Sequence, residues 1–160
     1  MQQYVHINLQ FVQMDAPRLD RLTALLEGLS PKVTQTSMAE GFSLHIIKAG
    51  TSELSSDSFS AIQLDSLSLL VCPEQHSLPN ILEANQRCLM SFDVVFDGPM
   101  GPSFLAELPR PISIGMRDAD PSLVQVMTLI ANEMQASRCG QPLFINHAGD
   151  ILLISLMRHL

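Results

Sequence analysis

Histidines and cysteines are the side chains of this sequence best suited to chemistry, and their surroundings limit what that chemistry can be. His45 lies in an apolar segment, on the side shared by Ser43 and Ile47, and His76 follows the apolar segment that ends at Cys72. A catalytic metal needs about three imidazole or carboxylate ligands that converge on one point. A nucleophilic Cys72 working with His76 needs a depressed thiol pKa and an orienting third group, and no residue pattern marks one. We therefore predict no catalytic residue, no metal ligand and no cofactor.

The charge balance argues against nucleic acid as a direct partner. The 160 residues include 9 basic and 16 acidic side chains, which gives a formal net charge of −7, and the only lysines are Lys32 and Lys48. Binding to phosphates needs a basic surface, and the sequence offers none. Charged residues make up 16% and hydrophobic residues 46% of the chain, which indicates apolar surface that a partner would cover. We expect self-association.

Length and apolar patterning predict a single cytoplasmic domain. A chain of 160 residues is long enough to bury one core. No stretch reaches the length of a membrane span, and the N-terminus lacks the basic and apolar regions of a signal peptide. The cysteines, Cys72, Cys88 and Cys139, have no metal-type spacing, so we expect a reducing compartment and buried thiols.

The first 116 residues are predicted to be mainly β structure. Residues 4–11 alternate apolar and polar side chains as a half-buried strand does, and a helix follows from Asp15 to Ser30. Further strand patterns, separated by turn residues, occupy 33–38, 42–48, 59–64, 67–72, 87–97 and 112–114. Short strands at this density favour a barrel or a sandwich. The Ser-rich piece 51–60 is expected to be a hairpin connection.

A turn rich in proline and glycine, Asp97 to Pro102, separates this β half from a helical one. Asp120 and Pro121 form a cap-and-proline start, and the helix that they open is expected to run to about Ser137. A last helix should run from Pro142 to the end, so residues 117–160 are predicted to form an antiparallel helical hairpin. Its apolar residues cover more than one stripe, which favours a second covered face.

Two segments carry a resemblance to a known family. The segment from Phe96 to Pro109, FDGPMGPSFLAELP, and the terminal helix ending in LMRHL resemble the cupin-type sensor domain at the N-terminus of AraC-type transcriptional regulators. Residues 64–76 align with the family's turn, strand and histidine, but only the apolar strand and His76 are kept. The resemblance covers most of residues 17–160 and is strongest from Arg87 onwards.

The resemblance implies an α+β fold, mainly β. The expected architecture is a small cupin-like antiparallel β-barrel with an N-terminal helix over residues 1–116 and a C-terminal two-helix antiparallel hairpin over 117–160. The family's function is to bind a small-molecule effector in the barrel and to form homodimers through the terminal helices. DNA is bound only by a helix-turn-helix domain, which this chain does not include.

Two sets of residues are candidates for these functions. An effector pocket needs an apolar wall and a few convergent polar groups. Such groups are offered by Gln35, Ser43, His45, His76, Met90 and Phe92. Pairing through equivalent helices needs a sustained apolar face. That face is assigned to Leu123, Met127, Ile130, Ile145, Leu152 and Leu156.

Two other functions stay open at this point. A freestanding metal-dependent cupin, acting as isomerase or dioxygenase, would contain stoichiometric metal. A freestanding scaffold would have a dry barrel and no ligand. Neither has a residue pattern of its own in this sequence, so we expect a binding module and not an enzyme.

Overall fold

The computed structural model describes the side chains of residues 21–36, 41–48, 67–73, 88–108 and 110–160, together with the backbone of two further strands. Residues 21–29 are helical and are named α1. The other elements, in chain order, are β1 (Pro31–Gln35), β2 (Ser43–Ile47), β3 (Ser52–Ser56), β4 (Phe59–Leu64), β5 (Ser68–Cys72), β6 (Cys88–Phe96), α2 (Gly101–Ala106), β7 (Ile112–Gly115), α3 (Pro121–Gln135) and α4 (Gln141–His159).

The strands form two antiparallel sheets. Five of them pair in the order β1-β6-β2-β5-β7, and β3 pairs with β4. The longest strand, β6, has nine residues and lies between β1 and β2. Within the described ranges the five-stranded sheet does not close on itself, although β4 comes close to β7. The structure is therefore α+β, as predicted, whereas closure into a barrel stays a prediction.

The helical hairpin of α3 and α4 covers one face of the five-stranded sheet. Asp120 caps α3, where its carboxylate accepts a hydrogen bond from Ser122 N–H at 2.9 Å. Gly140, with φ of 79°, precedes α4, and the Gln141 side chain donates to the Glu133 carbonyl oxygen near the end of α3 at 2.7 Å. These contacts satisfy backbone groups at both ends of α3, as helix termini require.

Close packing of α4 on the sheet depends on Gly149. A Cβ atom at this position would lie 2.8 Å from the ring of Phe92 and 3.0 Å from Val33. The helix backbone therefore rests directly on the sheet. Glycine in a helix lowers stability by about 1 kcal/mol relative to alanine, and this contact is the physical reason for its presence.

The turn from Asp97 to Pro102 is held against the end of α1. Gly98 N–H donates to the Leu29 carbonyl oxygen at 2.9 Å. A Cβ atom on Gly98 would collide with the carbonyl oxygen of Gly28, so only glycine permits this approach.

The helix α2 that follows this turn is fixed by aromatic packing. Phe104 places its ring centroid 5.3 Å from that of Phe96 and 6.2 Å from that of Phe42. Tilted and edge-on ring pairs of this kind are favourable geometries. The turn from Asp97 to Pro102 and the helix α2 thus connect α1 and the sheet in one cluster.

Most element predictions are confirmed where the structure describes the residues. The strand predicted at 59–64, the strand predicted at 87–97 and the helix opened by Asp120 all appear. The piece 51–60, predicted as a connection, contains strand β3, and α2 was not predicted. The strand at 4–11, the first turn of the helix opening at Asp15 and His76 lie outside the described residues.

Candidate functional site

The two faces of the five-stranded sheet differ in chemistry. Alternate residues of a strand point to opposite faces, and residues paired across strands share a face. Phe92 pairs with Leu44, which pairs with Val71, and this line belongs to the apolar core beneath α3 and α4. The neighbouring line runs from Ser91 to His45 and points the other way. We name this second surface the polar face.

A hydrogen-bonded chain of side chains crosses the polar face. The His45 Nε2 atom lies 2.9 Å from the Ser43 Oγ atom, and its Nδ1 atom lies 2.8 Å from the Ser91 Oγ atom. The Ser91 hydroxyl also lies 3.1 Å from the Cys88 Sγ atom. At the other end of this hydrogen-bonded chain, on the same face, Cys72 of β5 pairs with Ser43 of β2. The imidazole is 2% exposed and both ring nitrogens have partners, as a buried polar group requires.

A β-bulge brings Cys88 into this chain. The register between β2 and β6 shifts so that Ile46 pairs with Met90 while Ile47 pairs with Cys88, which leaves Leu89 unpaired. Without the shift, strand alternation would turn Cys88 toward the helices. Bulges commonly re-aim a side chain in this way.

Burial determines the protonation state of the imidazole and thiol groups on the polar face. Desolvation lowers the pKa of His45 from 6.5 to about 4. Burial also raises the pKa of the Cys72 thiol to about 12, opposed by its hydrogen bond to Ser43. It raises the pKa of Cys88 as well, against hydrogen bonds to Ser91 and the Met90 carbonyl oxygen. Imidazole and thiols are therefore uncharged at neutral pH.

This arrangement suits binding better than acid–base catalysis. An imidazole with a pKa of about 4 is a weak base at neutral pH, and protonated thiols are poor nucleophiles. The neutral His45 ring can donate from one nitrogen and accept at the other. In the part of the chain that the structure describes, no three histidine, cysteine or acidic side chains lie close enough together to hold a metal ion.

The structure separates the predicted pocket residues. Ser43 and His45 lie together, buried, on the polar face. Met90 and Phe92 are buried on the opposite face, in the core that the helices cover. Gln35 pairs with Phe92 on that same side and is exposed at the end of β1. The five described candidates are thus divided between the two faces, with two on the polar face and three on the opposite side.

A second surface of interest lies on the outside of the helical hairpin. An apolar groove with a volume of about 460 Å³ runs between α3 and α4. We name it the outer groove, and it is lined by Val126, Leu129, Cys139, Gly140, Leu143, Phe144, His147, Ala148 and Ile151. Leu129, Leu143 and Ile151 are each more than half exposed, an unusual state for neighbouring large apolar side chains.

The six residues predicted for a dimer interface lie instead in the chain's own core. All of them are 0 or 1% exposed and pack between the helices and the sheet: Leu123, Met127, Ile130, Ile145, Leu152 and Leu156. A fully buried side chain has no surface to offer a second chain. An interface on this hairpin would therefore use the opposite side, where the outer groove lies.

Gly149 is the sequence signal that separates the two sides of α4. It stands between Ile145 and Leu152, and a helix comes closest to its neighbours where it carries no side chain. The apolar residues offset from that line, Phe144 and Ile151, then fall on the outer side. For Ser91 and Cys88 no comparable signal exists, because a bulge and the strand register bring them to His45.

The thiols do not share one environment. Cys72 is buried, Cys88 is partly buried and Cys139 is exposed at the outer groove. The expectation of buried thiols is therefore wrong for Cys139. Among the helices described, none is both long and apolar enough to cross a membrane.

An antiparallel sheet covered on one face by a helical hairpin is consistent with an α+β cupin-like fold. The sequence model of a family described as Cupin matches residues 83–160, which supports a cupin-type domain. The match spans β6, α2, β7, α3 and α4, which carry Ser91, Cys88 and the outer groove, whereas His45 on β2 lies before it. Neither the search of curated proteins nor that of solved structures found a match.

Proposed function

We propose that this chain is the effector-sensing and dimerisation domain of an AraC-type transcriptional regulator. The polar face would bind a small molecule, and the hairpin of α3 and α4 would pair two copies through the outer groove. In such a regulator, DNA is contacted by a separate helix-turn-helix domain. The cupin-type match over residues 83–160 supports the fold class on which this proposal depends.

The outer groove is the observation that carries the proposal. The hairpin already buries one side against the sheet, and of the apolar residues that line the groove only Val126 and Ala148 also belong to that core. Its lining contains no acidic residue, although the chain as a whole has a net charge of −7. Two copies of an acidic protein repel each other, and an acid-free apolar surface is where that repulsion is weakest. This charge pattern favours a second copy as the occupant.

The polar face supports the sensing half of the proposal. Specific recognition of a small molecule needs a few fixed donors and acceptors within an otherwise apolar wall. His45 holds the hydroxyl groups of Ser43 and Ser91 in place. Ser43, His45, Leu70 and Ile47 are buried on this side of the sheet, whereas Ser91 is only partly buried and is the hydroxyl group that a ligand could reach.

The oligomeric state of the purified chain tests the proposal. Sedimentation equilibrium at micromolar concentrations should give a dimer, and Ile151→Asp should give a monomer with an unchanged circular dichroism spectrum. Ile151 is 52% exposed, so an aspartate there can be solvated without disturbing the core. The same change at Leu152 would not serve, because that side chain is fully buried.

Val95 supplies the matched control. It is 55% exposed on β6, away from the hairpin, and Val95→Asp should leave the dimer intact. A wild-type monomer, or an Ile151→Asp variant that still dimerises, would contradict pairing through the outer groove. A dimer lost in both variants would point to a general effect of added negative charge.

Metal analysis separates this proposal from a metal-dependent cupin enzyme. The binding module should contain no stoichiometric iron, manganese, nickel or zinc when purified without chelator. Its melting temperature should not change when EDTA is added, because metals that bind only the folded state raise stability. One bound metal per chain with a fall in melting temperature on chelation would favour the enzyme.

A further inference from the structure

Strand β6 takes part in both of the surfaces described above. Ser91 projects onto the polar face and holds the Nδ1 atom of His45 at 2.8 Å. Phe92, the next residue, projects onto the opposite face and is fully buried beneath the helices. Successive residues of a strand are rigidly linked through one peptide unit. A displacement of Ser91 therefore displaces the ring of Phe92.

The ring of Phe92 bears on α4 without an intervening side chain. A Cβ atom on Gly149 would lie 2.8 Å from the Cε1 atom and 2.9 Å from the Cδ1 atom of this ring, so the ring touches the helix backbone itself. A flexible side chain at this point would absorb a small shift of the ring, whereas a helix backbone moves as a unit. Two residues further along, Ile151 lines the outer groove.

We propose that β6 couples the polar face to the outer groove through Ser91, Phe92 and Gly149. Binding or loss of a hydrogen-bonding partner at His45 and Ser91 then changes the position of α4, and with it the shape of the groove. Packed side chains and rigid elements such as these can carry coupling between two sites. The inference rests on the proposed function for its biological role, since it joins the proposed effector surface to the proposed pairing surface.

Hydrogen exchange in α4 tests the coupling without knowledge of the effector. The change Ser91→Ala removes the hydroxyl between His45 and Cys88, and it should increase amide exchange in the middle turns of α4 several-fold more than in α3. The matched control is Ser113→Ala, because Ser113 lies on the same side of the sheet, on β7. The Ser113→Ala change should increase amide exchange in α4 no more than in α3.

A double variant tests the path itself. In a Phe92→Leu background, which removes the ring from Gly149, Ser91→Ala should cause no further increase in α4 exchange. An equal rise in α3 and α4 would mean that Ser91 only contributes to overall stability, and the coupling would be refuted. A full additional increase in the Phe92→Leu background would refute the path through the ring.

These outcomes are independent of the dimerisation test. If the protein is monomeric but α4 responds selectively to Ser91→Ala, the coupling stands and pairing through the groove fails. If the protein dimerises through Ile151 but α4 does not respond, pairing stands and the coupling fails.

Discussion

The two faces of the five-stranded sheet are both buried, but different forces stabilise them. On the helix-covered face, Phe92, Leu44 and Val71 are held by shape and by removal of apolar surface from water. On the polar face, His45 is held by directional bonds to two hydroxyl groups. A buried imidazole gains stability only while those bonds are made.

The difference indicates where function should be sought. An apolar face tolerates volume-conserving changes, because nothing in it depends on direction. A buried polar face stabilises the fold less than an apolar face would. Proteins keep such unfavourable arrangements mainly at functional sites, so the polar face is where function is expected. The following changes separate the two faces by the size and pH dependence of their effects.

The largest expected effect comes from Phe92→Ala on the helix-covered face. Removing a fully buried ring that supports Gly149 should lower the free energy of unfolding by about 3 to 5 kcal/mol, independent of pH. Urea denaturation followed by circular dichroism measures this loss. Val95→Ala, at an exposed position on the same strand, should change stability by less than about 0.5 kcal/mol. A small loss for Phe92→Ala would mean that the helices do not depend on this ring.

The polar face should lose stability in acid. His45 takes up its proton near pH 6.5 in the unfolded chain and near pH 4 in the folded one, so between these values the unfolded state binds more protons. Stability should therefore be complete above pH 6.5 and fall as the pH drops through this window, by about 3 kcal/mol in total. Urea denaturation at a series of pH values measures the slope.

A histidine variant identifies the source of that slope. His45→Gln should flatten the acid dependence over this window. If the variant retains the wild-type slope, other groups cause the acid sensitivity and His45 is not the buried neutral imidazole described here.

The comparison of the faces also shows what the sequence could predict. Helix α3 follows from Asp120 and Pro121, whose types fix a helix start locally, and β4 follows from turn residues on both sides. The faces of β2 could not be predicted in this way. All five of its residues are buried, so no alternation distinguishes His45 from Leu44.

Non-local geometry accounts for the rest. Phe92 and His45 look equivalent as strand residues, and only the pairing of His45 with Ser91 places them on opposite faces. The hairpin poses a related problem, because α4 is apolar on both sides and only Gly149 marks the side that faces the sheet. For α2, the types of Gly101 and Pro102 predict a turn, although proline is equally suited to the first turn of a helix.

A smaller effect should follow from Gly149→Ala, where helix propensity and packing oppose each other. Propensity alone favours alanine by about 1 kcal/mol. The added methyl group would meet the Phe92 ring at 2.8 Å, and overpacking of this kind costs about 1 to 3 kcal/mol. We expect a net loss of stability in thermal denaturation. Gly41→Ala is the control, because nothing lies within 4 Å of a Cβ atom at that position. A stabilised Gly149→Ala variant would show that α4 can shift away from the sheet.

The smallest expected effect is a difference in labelling rate among the three thiols, which can be measured without changing the sequence. A thiol reacts as the thiolate, so a pKa raised to about 12 and burial should protect Cys72 on the polar face. Cys139 is exposed and should react with a maleimide within minutes, with Cys88 slower and Cys72 slowest. Peptide mass spectrometry at successive times gives the order.

Because Ser43 and Ser91 link both cysteines of the polar face to His45, an effector that binds there should slow the labelling of Cys88 further and leave that of Cys139 unaffected. Equal rates at all three cysteines would mean that the polar face opens freely to solvent.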